Sequence, residues 1–135
     1  MKISDIAFIK LVGIEEEDLG MSLGFNPQLQ NHIQTFHAGA QFTLAEAQVG
    51  LFLKENFPLL EGKVIPVLRE SKLKYKKPAT SKIFGSSSCP IENIAKFKQQ
   101  FERKGRGSIE VFIEVKDSNG VLTCEGSFVF YVQAI

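Results

Sequence analysis

The sequence predicts an α+β domain in which an antiparallel sheet encloses one long helix. The first observation behind this is the segment 38–57. Its apolar residues (Ala38, Ala40, Phe42, Leu44, Ala45, Ala47, Val49, Leu51, Phe52, Leu53) go almost all the way round a helix, and Glu46 is the only ionisable residue between Ala38 and Leu53. A helix apolar along one stripe lies on a surface, whereas one apolar on all sides has to be wrapped. The second observation is the strand character after residue 64, clearest where Ile109, Val111, Ile113 and Val115 alternate with polar residues. A helix that must be covered and a sheet with one apolar face complete each other.

The elements follow in order. Residues 6–14 and 19–26 are rich in β-branched and apolar residues and read as a first strand region, broken by an acidic turn at Glu15-Glu16-Glu17-Asp18. The helix over 38–57 is about 30 Å long at 1.5 Å per residue and ends at Pro58. Gly39 and Gly50 each lower its helix propensity by about 1 kcal/mol relative to alanine; small residues there admit close approach by a backbone or a ligand. Residues 64–76 and 81–89 read as strands on either side of Lys77-Pro78. Pro90 suits a helix first turn, and Ile94, Phe97 and Phe101 give an amphipathic helix over 91–103. Strands at 107–117 and 121–133 close on Asp117-Ser118-Asn119-Gly120, whose Asn-Gly pair favours tight hairpins.

Composition narrows the class. The 135 residues, 44% of them hydrophobic, make one domain over 1–135 with room for a core. A net charge of +1 gives no reason to expect nucleic acid or an anionic membrane as partner. Lys10 interrupts the apolar start at Ile6-Ala7-Phe8-Ile9 and no cleavage site follows, so no signal peptide is expected. No apolar run reaches the roughly 20 residues that span a bilayer, so a soluble, cytoplasmic protein without membrane insertion is expected. Cys89 and Cys124 match no metal spacing and read as reduced core thiols. Zinc is not expected, because His32 and His37 have no cysteine or acid at ligand spacing.

The candidate site lies where both histidines sit, in Asn31-His32-Ile33-Gln34-Thr35-Phe36-His37-Ala38-Gly39-Ala40, running into the helix that carries Glu46. A carboxylate in so apolar a segment loses hydration in its charged form, and such a placement points to a functional acid or to a structural buried pair. Asn31, five residues, His37-Ala38-Gly39 and then Glu46 within Leu44-Ala45-Glu46 resemble the signature of hot-dog-fold thioesterases: Asn, five residues, His-Gly-Gly, and an acid on the central helix. Lys74-Tyr75-Lys76-Lys77-Pro78 and the closing hairpin extend the resemblance over residues 5–133. More narrowly, the chain is similar to thioesterase-like hot-dog domains found fused behind acetyltransferases.

The resemblance implies a homodimer at minimum, with sheets joined edge to edge and active sites in clefts between subunits; whether dimers pair into tetramers stays open. It implies an acyl-CoA or acyl-carrier-protein thioester as substrate and no cofactor. It assigns Glu46 as general base or nucleophile, Asn31 to positioning water or substrate, the Ala38 N–H to polarising the thioester carbonyl, Gly39 to the same turn, and His37 to orienting that turn and contacting substrate. The chain departs from the signature at Ala38, which stands where the first glycine of the pair would be. Alanine keeps the N–H and is unstrained if φ is helical.

The chemistry agrees with a shared site. Hydrolysis needs an activated water or nucleophile, and donors aimed at the carbonyl oxygen. A helix start offers free N–H groups and partial positive charge, but Glu46 lies about 12–13 Å further along the axis. Two helices side by side and antiparallel would bring Glu46 of one chain to the turn of the other. Ser86, Ser87 and Ser88 are candidates for a further polar group, although such a run is usually a solvated face. The basic residues of 72–77 and 96–106 are candidates for coenzyme phosphates, against the ordinary reading of a solvated surface. Two other readings stand beside the thioesterase. One is a dehydratase, since His32 precedes Glu46 by 14 residues, though without the proline-rich sequence that normally follows. The other is a non-catalytic acyl binder with a cavity formed by Phe42, Phe52 and sheet aromatics.

Overall fold

In the computed structural model, which describes residues 1–135, a 3-10 turn at Ile3–Asp5 leads into a short helix, α1 (Ala7–Val12). This corrects the strand expected over 6–14. A β-branched segment prefers a strand when a half-buried sheet surface receives it; here only Ile9 of α1 is buried, and Phe8 and Leu11 lie exposed. Gly13 closes the helix at φ 94°, its N–H donating to the carbonyls of Ile9 and Lys10. The acidic run is likewise not a turn. Glu15–Glu17 is strand β1, joined through Asp18 and Leu19 to β2 (Gly20–Leu23).

The long helix, α2 (Ala38–Asn56), is enclosed as its composition requires, with buried side chains such as Leu44, Ala45, Val49, Leu51 and Phe52 spread around it. Beyond it come β3 (Val64–Tyr75), β4 (Ile83–Ser88), α3 (Ile91–Lys104), β5 (Arg106–Lys116) and β6 (Leu122–Ala134). They build one six-stranded antiparallel sheet in the order β1-β2-β4-β5-β6-β3. Ile109, Val111, Ile113 and Val115 of β5 and Phe128, Phe130 and Val132 of β6 turn inward and are buried. Arg69 is an extra residue between Leu68 and Glu70 in the β3–β6 ladder, a bulge that bends the strand around α2.

Two local devices position the helix. Gln48 of α2 reaches into the sheet: its Oε1 accepts the Met21 N–H at 2.8 Å and its Nε2 donates to Ser87 Oγ at 3.0 Å. Gly85 permits that approach, since a Cβ there would lie 3.1 Å from Gln48 Oε1. At the other end α3 folds over the end of α2, with Phe97 buried against the Phe57 ring at 5.1 Å between centroids. The β5–β6 turn is set by Asp117, whose Oδ1 accepts N–H groups of Asn119 and Val121, each at 2.9 Å, with Gly120 at φ 78°.

Both cysteines are free, Cys124 buried and Cys89 half-buried. Burial, and then the Glu125 charge, pushes the Cys124 thiol up to about 11, so it stays protonated and inert. No helix is long and apolar enough to cross a membrane.

Candidate active site

The approach to α2 is built around Asn31. Its Oδ1 accepts the N–H groups of Ile33 (3.1 Å) and Thr35 (3.0 Å), while its Nδ2 donates to Thr35 Oγ1 (2.7 Å) and the Phe36 carbonyl (3.3 Å). One side chain thus closes the 31–36 loop. Phe36 anchors it, buried edge-on against Phe25 at 5.0 Å, its N–H donating to the Ala79 carbonyl at 2.8 Å.

His37 then caps α2, its Nδ1 accepting the Gly39 N–H at 2.8 Å. That bond needs an unprotonated Nδ1, so the neutral ring carries its proton on Nε2. Glycine at 39 is what admits the ring, because a Cβ there would lie 3.0 Å from His37 Nδ1. The Ala40 and Gln41 N–H groups share the His37 carbonyl at 2.9 and 3.3 Å. Of the first-turn donors, only the Ala38 N–H has no partner within the chain. Neither Ala38 nor Gly39 has positive φ, so alanine in place of glycine is unstrained, as expected.

Glu46 stands two turns further on. It is half-buried, forms no ion pair or hydrogen bond within the chain, and burial raises its carboxyl above the ordinary value. It lies in the wall of a cavity of about 440 Å³ between α2, the N-terminal segment, the first part of β3, the end of β6 and Phe97 of α3. Asn31, His37, Ala38 and Gly39 are therefore brought together, and Glu46 is held apart from them within one chain.

Other candidates fall elsewhere. All three serines of the run line a polar groove of about 480 Å³ with Lys72, Lys74, Glu114 and Glu125, and Ser87 Oγ also accepts from Gln48 Nε2. His32 is exposed on the 31–36 loop. No three His, Cys, Asp or Glu side chains group to hold a metal. The cavity expected from Phe42 and Phe52 is corrected: Phe42 packs on Phe128 at 5.4 Å, Phe52 is buried in the core, and neither lines the cavity. Its aromatic residues are Phe8, Phe57, Phe97 and Phe130. Glu46, Gly50 and the amphipathic spacing of Phe97 are the sequence signals of this lining; that α1 joins it depends on chain folding across tens of residues.

One long helix enclosed by a six-stranded antiparallel sheet, entered through a capped His-Ala-Gly turn, is the hot-dog fold of the thioesterase-like proteins. Within that class the chain belongs to the family described as domain of unknown function DUF4442, matched over residues 7–132. A Pseudomonas aeruginosa protein described as a probable thioesterase is similar at TM-score 0.82 and 23% identity, over 98% of this chain and 91% of that one. A Haemophilus influenzae thioesterase is similar at TM-score 0.75 and 16% identity, over 98% and 86%. A Bacillus halodurans protein solved with CoA is similar at TM-score 0.70 and 22% identity, over 97% and 85%. No curated protein matches the chain.

Proposed function

We propose that the protein hydrolyses an acyl thioester of coenzyme A or of an acyl carrier protein, at a site completed by a second copy of the chain. The observation that carries this reading is Glu46: a half-buried carboxylate without a partner, raised by burial toward the range of a general base, in the wall of an apolar cavity. The free Ala38 N–H at the positive end of α2 supplies the complementary group. Described thioesterases and a CoA-bound protein among the similar structures support the substrate class.

In this reading Glu46 takes a proton from water as the water oxygen attacks the thioester carbon. The Ala38 N–H of the second copy holds the developing oxyanion. Collapse breaks the C–S bond, and the thiolate takes the proton back from Glu46, leaving acid and free thiol. Direct attack by Glu46 gives the same products through an anhydride that water opens. Asn31 and His37 act as positioning residues, since their polar atoms shape the turn that presents the Ala38 N–H.

The test is Glu46→Gln, which conserves volume and removes the base. Thiol release from an acyl-CoA should fall by roughly 10²–10⁴-fold, and unchanged hydrolysis would overturn the assignment. Non-catalytic acyl binding is the second reading, favoured by the full engagement of the Asn31 side chain in its own loop. Tight acyl-CoA binding without thiol release by the wild type would establish it.

A further inference from the structure

The face of the sheet turned away from α2 carries the polar groove of about 480 Å³. Strand register lays it out in two rows. Ser88, Phe112, Ser127 and Lys72 stand side by side across β4, β5, β6 and β3. Ser86, Glu114, Glu125 and Lys74 form the row beside them. Phe112 and Glu114 alternate with the buried Val111, Ile113 and Val115, and so project outward. Three strand spacings, about 14 Å, separate Ser88 from Lys72. The groove thus runs across the strands, with hydroxyls at the β4 end and ammonium groups at the β3 end.

Its groups divide into those with partners and those without. Ser127 Oγ donates to Glu110 Oε2 at 2.9 Å, Glu125 pairs with Lys76 at 2.9 Å, and Glu114 lies 3.9 Å from Lys116. Lys72 and Lys74 pair with no carboxylate, although Lys74 stands directly opposite Glu125. The aromatic rings of this face differ in the same way. Lys82 lies over Phe84 at 5.4 Å and Arg69 over Tyr131 at 4.5 Å, whereas Phe112, 41% exposed, has no cation over it.

We infer that this groove binds a nucleoside diphosphate, with the base on Phe112, the ribose hydroxyls on Glu114 and Glu125, and the phosphates on Lys72 and Lys74. A base stacks on an exposed aromatic face, and lysine holds phosphate as a point charge. Two strand spacings, about 10 Å, lie between Phe112 and Lys72, which leaves room for a sugar between base and diphosphate. Each carboxylate has two oxygens, so it accepts from a ribose hydroxyl without giving up its lysine. A bare phosphate would leave the ring unused, and a free base would leave both lysines unused. The volume lies within the roughly 300–1,000 Å³ of ligand pockets. This site goes beyond thioester hydrolysis, because the groove and α2 with Glu46 lie on opposite faces of the sheet.

The test titrates ADP, adenosine and pyrophosphate calorimetrically into the wild type, Phe112→Thr and the double variant Lys72→Gln/Lys74→Gln. Threonine keeps strand propensity at position 112, and circular dichroism and melting verify each fold. ADP should bind the wild type at least tenfold more tightly than either fragment. Phe112→Thr should weaken ADP and adenosine about tenfold through lost stacking and leave pyrophosphate unchanged. The lysine variant should weaken ADP and pyrophosphate about tenfold or more, flatten the salt dependence of both, and leave adenosine unchanged. No ADP binding by the wild type at millimolar concentration, ADP held no more tightly than pyrophosphate, or binding unchanged in the folded variants would overturn the inference. A competition arm separates the two sources of such a ligand, both of which uphold the groove. Coenzyme A that displaces ADP, and that binds more weakly to Phe112→Thr, identifies the nucleotide end of the coenzyme; ADP retained alongside coenzyme A identifies a free nucleotide. None of these titrations needs turnover, so their failure is distinct from failure of the hydrolysis assay on Glu46→Gln.

Discussion

Glu46 loses solvation on folding and gains nothing inside its own chain, and this has a consequence for stability. Its folded pKa is raised above the ordinary 4.5 by burial, so the native state holds the proton more tightly than the unfolded chain does. Ionisation therefore costs stability as pH rises through the raised value, and the cost vanishes once pH falls below 4.5. Glu46→Gln should melt higher than the wild type at neutral pH, and the gap should close toward pH 4, near the ordinary carboxyl value. Scanning calorimetry across that range checks it; a mutant that melts lower at pH 7 would point to a structural partner for Glu46. At the helix start, His37→Ala should cost about 0.5–2 kcal/mol through the lost cap, and His37→Asn, a stronger capping residue, should recover it. Denaturant unfolding measures both.

Elements that could be read locally were read correctly: the all-round apolarity of α2, the alternation on β5 and the turn at Asp117–Gly120 each reflect forces acting within a few residues. Of the two segments that differ from expectation, α1 and the acidic strand β1, α1 shows the limit. Ile6-Ala7-Phe8-Ile9 is compatible with strand and helix alike, and the decision depended on whether a sheet edge lay alongside. Gln48 was equally hidden, since a glutamine on a helix says nothing of the strand N–H it will meet. Its role predicts a measurable penalty. Gln48→Leu leaves the buried Met21 N–H without an acceptor and should destabilise the protein by roughly 1–3 kcal/mol. Urea unfolding with an unchanged m-value would confirm that the loss is local to the α2–sheet contact.

Taken as a whole molecule, the sheet ends on β3 with one edge unpaired over 12 residues, and Ile65 and Val67 stand exposed on it. Such an edge invites pairing, and under the proposed function the separation of Ala38 from Glu46 would give that pairing a catalytic reason. Sedimentation at micromolar concentration should give twice the 15.0 kDa chain mass. Mixing two defective variants tests the shared site directly. Ala38→Pro removes the N–H at the first helical position, where proline is tolerated and His37 at φ −60°, ψ 139° suits it. Combined after dissociation and reassembly with Glu46→Gln, random two-fold pairing should restore up to about a quarter of wild-type hydrolysis, because half the dimers carry one intact composite site. No recovery in mixed dimers would place the whole site within one chain.

By itself, the sequence determined that one helix must be enclosed, that a sheet with an alternating face would enclose it, and that the turn before Glu46 matches a hot-dog signature. These are statements about periodicity and short-range spacing, written into neighbouring residues. Tertiary structure decided what Asn31 does with its hydrogen bonds, which of the helix-start N–H groups is left free, and that Phe8 and Phe97, 89 positions apart in the chain, line one cavity with Glu46. A cavity is what remains after distant elements have packed, so its shape is a difference between surfaces that no local pattern encodes.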